Sequence, residues 1–308
     1  MVTAPLLRAE ALTQVYGRQN GFFAHADVTP PAVDRISLAL YPNETLGLVG
    51  ESGSGKSSLC RLLLRLEEPS SGTVWFREQR MMSANKPLLS EFRKNVQAVF
   101  QDPYDSLHPR MRVEQILAEP LVIFDSQMRR NERDERVALA MRQVGLDPTL
   151  ASRYPAQFSG GQLQRICIAR ALMLKPSVLI ADEPITALDV SIQAQIVNLL
   201  KDLQQQLRIT YLFVSHDLNM VRYLCDRVAV MYRGRIVETG PVEAIFLDPR
   251  HSYTRALLSA TPAPNPDAPL PLALAYTGTT FESPRSATLT EVDAGHFVLL
   301  DAKERRPA

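Results

Sequence analysis

A lysine and a serine that follow three glycines are the first residues in this chain equipped for chemistry. Thr45 to Ser58 reads TLGLVGESGSGKSS, an apolar run and a glycine-rich loop that lead into the helix-forming LCRLLLRL. This matches the pattern G-x-x-x-x-G-K-[ST] in the strand, loop and helix setting it requires. Gly50, Gly53 and Gly55 let the backbone turn successive N–H groups inward around an oxyanion, with Glu51, Ser52 and Ser54 completing the loop. A phosphate held there meets a helix N-terminus, whose free N–H groups and dipole favour negative charge. Lys56 is placed to reach β- and γ-phosphates and the Ser57 hydroxyl to ligate Mg²⁺, with Ser58 behind them.

Two carboxylates and a histidine follow apolar runs further along. Asp182 and Glu183 come directly after Val178, Leu179, Ile180 and Ala181, which read as a buried strand. Ligands of open α/β sheets bind at that carboxyl edge, so the natural division is Asp182 toward Mg²⁺ and Glu183 polarising the attacking water. ITYLFVSHD is a second buried strand that brings His216 to the same edge. Ser159 is a fitting N-cap for the helix of QFSGGQLQRICIARALML, worth about 1 kcal/mol. Capping leaves Gly160 and Gly161 unexplained, and glycine there suggests a close approach to the backbone. Tyr16, at the end of a strand, fits a core position or a ring stacked on adenine.

These groups need elements to hold them. LLRAEALTQVYG and AVDRISLALYPNETLGLVG show β-like alternation, with RQNGFFAHADVTPP as an excursion loop between them. SGTVWF reads as a strand and EFRKNVQAVFQDP as a second one ending at Gln101. From Pro103 to about Met173 helical patterns dominate, which suggests a helical subdomain inserted into an α/β core. SIQAQIVNLLKDLQQQL spaces Ile192, Ile196, Leu199, Leu200, Leu203 and Leu207 for one buried helix face. DRVAVMYRGRIVETG is a hairpin with an R-G turn, and PVEAIFLDP opens a short helix. Beyond Thr261, Pro262, Pro264, Pro266, Pro269 and Pro271 form a semi-extended linker before TEVDAGHFVLLD, a candidate strand.

Composition narrows the classes. A net charge of +1 over 308 residues provides no basic field for nucleic acid or lipid, so no nucleic-acid partner is expected. Cys60, Cys167 and Cys225 form no C-x-x-C pair, which suggests neither a disulfide framework nor a zinc site. No signal-peptide pattern or bilayer-length apolar run is evident, so the expectation is a cytoplasmic chain that meets membranes through a partner.

VGESGSGKSS, Gln101 in VFQDPYDSLHPRM, FSGGQ, LIADEPITALD and VSHD together resemble, in order and spacing, an ABC-type ATPase subunit over about Leu6 to Thr261. YPAQFSGGQ, ALDVSIQAQI and HSYTRALLSATP are similar to the subfamily serving oligopeptide, dipeptide and nickel importers. The resemblance implies an α/β P-loop NTPase with a RecA-like core, an N-terminal antiparallel β subdomain and an inserted helical subdomain. Residues 1–261 would form the ATPase domain, with the helical part near 103–173, and 262–308 a Pro-rich extension.

It also implies a head-to-tail dimer with an identical or paralogous ATPase subunit, two transmembrane permease subunits and an extracytoplasmic solute-binding protein. The working place it implies would be the cytoplasmic face of the inner membrane. Each ATP would lie between one chain's phosphate loop and the partner's Ser159, Gly160, Gly161 and Gln162, with Asp189 at the seam. Gln101 would sense Mg²⁺ and the attacking water, joining Ser57 and Asp182 around the metal. Glu183 would act as general base, His216 would hold the γ-phosphate and Tyr16 would stack on adenine.

Peptide import is the leading expectation, nickel or metal-chelate import the alternative, and a non-transport ATPase ranks below both. Ile185 stands where the family usually has threonine, and Leu163 where it has a polar or basic residue; neither removes a catalytic group. No cysteine follows Cys225, so no iron–sulfur cluster is expected in the extension.

Overall fold

Alternation along fully buried strands decides which side of the central sheet each side chain serves. The computed structural model describes residues 4–17, 30–186, 188–260 and 287–300. The proline linker and most of the excursion loop lie outside the described residues. β1 (Leu7–Gln14) and β2 (Val33–Leu40) lead into β3 (Thr45–Val49), which feeds the glycine loop and α1 (Lys56–Leu63). β4 (Ser71–Phe76) and the short β5 (Gln79–Arg80) follow. Among the described residues β2, β1, β4 and β5 make a four-stranded antiparallel sheet in that order.

The sequence reading of EFRKNVQAVFQDP as one strand is corrected here. Its first half belongs to α2 (Lys86–Asn95), and only β6 (Val96–Val99) is extended. The helix start is local: the Asn85 side chain accepts from Leu88 N–H and Pro87 sits in the first turn. Phe92 on α2 is then buried edge-on against Phe76 of β4, ring centroids 5.5 Å apart.

After β6 the chain leaves the sheet as α3 (Pro103–Ser106), α4 (Val113–Phe124), α5 (Arg130–Gln143) and α6 (Gly160–Leu172), the inserted helical subdomain. It returns through β7 (Val178–Asp182), α7 (Val190–Leu207), β8 (Thr210–Val214), α8 (Leu218–Leu224), β9 (Arg227–Tyr232) and β10 (Arg235–Pro241). Strands β9, β3, β8, β7 and β6 pair parallel in that order. β9 and β10 are joined by Arg233 and Gly234, both at positive φ, the geometry of a tight hairpin whose twist matches its strands. Helices α9 (Val242–Leu247) and α10 (Ser252–Ser259) come next. The tail strand expected in TEVDAGHFVLLD is a hairpin, β11 (Thr288–Asp293) and β12 (His296–Leu300), and β12 pairs antiparallel with β10.

All five residues of β3, β7 and β8 are buried, as parallel strands covered on both faces must be. Leu46, Leu48, Val178, Ile180, Leu212 and Val214 join α1 and the antiparallel sheet in one core. Their neighbours Val49, Leu179, Ala181, Tyr211 and Phe213 join the helical subdomain in another. On α7, Ile196, Leu200 and Leu203 are buried, but Leu207 is exposed in the last turn rather than packed.

Phe92→Ala is expected to cost about 3 to 5 kcal/mol of stability through lost burial and the cavity left against Phe76. Denaturant unfolding checks this. A loss below about 1 kcal/mol would contradict the packing described.

Candidate functional site

The glycine loop is fixed by positions that no side chain tolerates. Gly50 has φ +152, and a Cβ there would meet the Met231 carbonyl oxygen at 2.2 Å. Gly55, the N-cap of α1, has φ +106, and a Cβ would meet the Ala32 carbonyl oxygen at 2.0 Å. The loop is thus pressed against the β9–β10 turn and the start of β2, and Gly234 N–H donates to Ser54 O at 2.9 Å. Glu51, Ser52, Gly53 and Ser58 are at least partly exposed along it.

Charge is concentrated under the loop. Lys56 is 5 % exposed, and its ammonium donates to Gly50 O at 2.8 Å and Glu51 O at 2.9 Å. Burial lowers its pKa, while Glu183 and Asp182 oppose that shift. Asp182 ends β7 and is 8 % exposed; the Ser57 hydroxyl donates to its Oδ1 at 3.3 Å. Burial pushes the Asp182 carboxyl above its ordinary range, and the Ser57 hydrogen bond pulls it back in part. A hydroxyl and a carboxylate are hard oxygen donors, the set that suits Mg²⁺ completed by phosphate and water. The described residues contain no cluster of three or more His, Cys, Asp or Glu able to hold a metal alone.

Glu183 follows at once with φ +49, a left-handed backbone uncommon outside glycine, while its N–H donates to Val214 O at 3.1 Å. Its Oε2 accepts from the Thr186 hydroxyl at 3.2 Å and lies 3.7 Å from His216 Nδ1. His216 sits in the link between β8 and α8, where Asp217 caps α8 by accepting from Asn219 and Met220 N–H. Gln101 follows β6, the strand paired with β7, and is exposed at the same edge.

The residues FSGG and Asp189 lie in a second group. Ser159 and Gln162 form a reciprocal capping box on α6, Gln162 N–H to Ser159 Oγ at 3.4 Å and Ser159 N–H to Gln162 Oε1 at 3.0 Å. Gly161 has an internal reason to lack a side chain, because a Cβ would meet Ile192 Cγ2 at 2.6 Å. Gly160 has no such need, its nearest contact being Leu188 at 3.5 Å. The Asp189 carbonyl receives Ile192 and Gln193 N–H as α7 begins.

Tyr16 is exposed beyond β1, its hydroxyl donating to Glu67 Oε2 at 2.6 Å. Burial first, then Glu67, raises its pKa. Sequence reasoning named neither Glu67 nor Thr186. Thr186 lies three residues beyond Glu183 and was open to suspicion on spacing; Glu67 pairs across 51 positions and carries no local signal. Cys60, Cys167 and Cys225 are free and buried in separate parts of the fold, and burial pushes the Cys167 thiol up to about 12.

A glycine loop at a helix N-terminus, beside a carboxylate pair at the edge of a parallel sheet, is the arrangement of a phosphate-loop nucleotide site. The ABC transporter family model matches residues 33–186, and a second model, oligopeptide/dipeptide transporter, C-terminal region, matches 237–279. A di/tripeptide transport ATP-binding protein from Pseudomonas aeruginosa is 51% identical over 86% of this chain and 82% of its own length. An oligopeptide transport ATP-binding protein from Bacillus subtilis is 49% identical over 86% of this chain and 85% of its own. Part of an ABC transporter complex from Clostridium perfringens superimposes with a TM-score of 0.68 at 28% identity, covering 80% of this chain and 92% of that one. The chain belongs to the ABC transporter ATP-binding family, whose members couple ATP hydrolysis to transport.

The sign of the Asp182 shift makes a prediction. A carboxyl whose folded pKa is raised binds its proton more tightly in the native state, so its contribution to stability falls as pH rises above the ordinary 3.8 and through the raised value. Without Mg²⁺ or nucleotide, Asp182→Asn is expected to melt higher than wild type near pH 8, the gap closing toward about pH 4. Thermal melts across that range check it, and a lower melting temperature for the variant near pH 8 contradicts burial as the dominant influence.

Proposed function

We propose that this chain binds and hydrolyses ATP to power import of dipeptides or oligopeptides through a membrane permease pair fed by an extracytoplasmic binding protein. The observation that carries the reading is the convergence of Lys56, Ser57, Asp182, Glu183 and His216 on one sheet edge. The peptide cargo rests on relatives named for dipeptide and oligopeptide transport and on the matched C-terminal region.

Backbone N–H groups of the loop and Lys56 receive the phosphates. Ser57 and Asp182, with Gln101 alongside, would hold a Mg²⁺ ion, which would supply neutralisation of phosphate charge. Glu183, oriented by Thr186, takes the proton of the attacking water, and His216 holds the γ-phosphate. Tyr16, tethered by Glu67, stacks on adenine. The Ser159–Gly160 end of α6, with Ser159 exposed and Gly160 half-buried, and Asp189 serve the partner's nucleotide in a head-to-tail dimer, so closure and opening track hydrolysis. The ATPase domain spans 1–261, with the extension beyond it free of iron–sulfur.

No helix of the described residues is long and apolar enough to cross a membrane. Relatives named as transport ATP-binding proteins support a place at the inner face of the membrane, reached through the permeases. A cavity of about 330 Å³ between α4, α6 and β6 suits a permease helix. Exposed Leu66, Phe100 and Ile123 line it, and Arg170 pairs with Glu119 at 2.7 Å on its wall.

Glu183→Gln is expected to lower kcat by about 10²-fold or more while leaving ATP bound in a stable dimer, read by phosphate release and gel filtration. Turnover that survives this change removes Glu183 as the base. Ile123→Glu places a charge in the cavity and is expected to shift the chain from the membrane to the soluble fraction of its host. Unchanged membrane retention would reject the cavity as the permease contact.

A further inference from the structure

The phosphate loop is also held from a direction the hydrolytic site does not use. The Gly50–Glu51 peptide plane is bonded at both ends. Its carbonyl, Gly50 O, accepts from Lys56 Nζ at 2.8 Å, and its N–H, on Glu51, donates to the Tyr253 hydroxyl at 3.1 Å. Because the peptide is planar, the partner on the N–H side fixes where the carbonyl points, and with it the lysine ammonium. Tyr253 is fully buried on α10, its ring tilted against Tyr232 at 4.3 Å between centroids.

The position of α10 depends in turn on Glu238 of β10, a carboxylate with no exposed surface. Such a group is costly unless donors surround it. Here Oε1 accepts from Arg250 N–H at 2.7 Å, Oε2 accepts from His251 N–H at 3.0 Å, and His296 Nε2 approaches Oε1 at 2.8 Å. A carboxylate only accepts, so Nε2 carries the hydrogen. The His251 side chain then accepts from Tyr253 N–H at 3.1 Å to start α10. His296 itself lies on β12, 2 % exposed and packed on Gly240.

We propose that Tyr253 is a positioning residue for Lys56 and that the C-terminal hairpin sets it through His296 and Glu238, so that the tail of the chain governs affinity for ATP. This rests on the reading that the glycine loop holds ATP. No step of hydrolysis passes through these residues, so their effect belongs in KM rather than in kcat.

Steady-state MgATP turnover by the full chain tests the idea. Tyr253→Phe removes one oxygen from a ring that stays packed, and His296→Ala removes the hairpin's contact with Glu238. Both are expected to raise KM about fivefold, about 1 kcal/mol at 1.4 kcal/mol per tenfold, with kcat within about twofold. His296→Gln, which keeps an N–H for Glu238, restores most of the affinity. Ser259→Ala, on the same helix but away from this chain of contacts, leaves KM in place. Hydrogen exchange in the peptide containing Glu51 quickens in Tyr253→Phe, and this readout carries the test if His296→Ala fails to fold. A wild-type KM in Tyr253→Phe or in folded His296→Ala overturns the inference, as does an equal rise in Ser259→Ala. Absence of ATP binding by the wild-type chain would refute the functional reading instead, so the two failures are separable.

Discussion

Everything at this site depends on holding a lysine ammonium and an aspartate carboxylate close together with little water to screen them. Either charge alone in such a place costs several kcal/mol. The fold meets that cost with fixed partners: Gly50 O and Glu51 O for Lys56, and the Ser57 hydroxyl for Asp182. A phosphate with a divalent ion would satisfy both charges better than the protein does, since the loop N–H groups and the start of α1 favour anions. Burial lowers the Lys56 pKa and raises that of Asp182, so each charged form is held at a cost that an opposite charge nearby reduces.

The parallel sheet makes that concentration possible. β3, β7 and β8 run side by side, so their carboxyl ends deliver Gly50, Asp182 and Ser215 to one edge in register. Alternate side chains of the same strands anchor opposite cores, one shared with the antiparallel sheet and one with the helical subdomain. The β9–β10 turn closes the arrangement by pressing Met231 and Gly234 against the loop.

Much of this was legible in the residues themselves. Gly50 and Gly55 announce their backbone geometry, and four apolar residues before Asp182 announce a buried strand and its edge. EFRKN was misread because its helix is started by Asn85 and Pro87, outside the stretch judged, and because its single large apolar residue leaves little periodicity. Gly161 carried a signal of close approach to the backbone, and within the chain it is Ile192 that makes that approach. Leu207 followed the helical spacing but sits where α7 runs off the core. Glu67 on Tyr16, and Glu238 on His296, pair across 51 and 58 positions, and no local pattern marks such partners.

The central claim, that Lys56 and the Ser57–Asp182 pair form one phosphate and metal site, is tested most directly by calorimetric titration of ATP into the full chain with and without magnesium. The account predicts saturable binding that magnesium tightens in the wild type. It further predicts that the magnesium effect disappears in Ser57→Ala while weaker binding of free ATP persists through the loop. No binding in the wild type, or a magnesium effect that survives loss of the Ser57 hydroxyl undiminished, would contradict it.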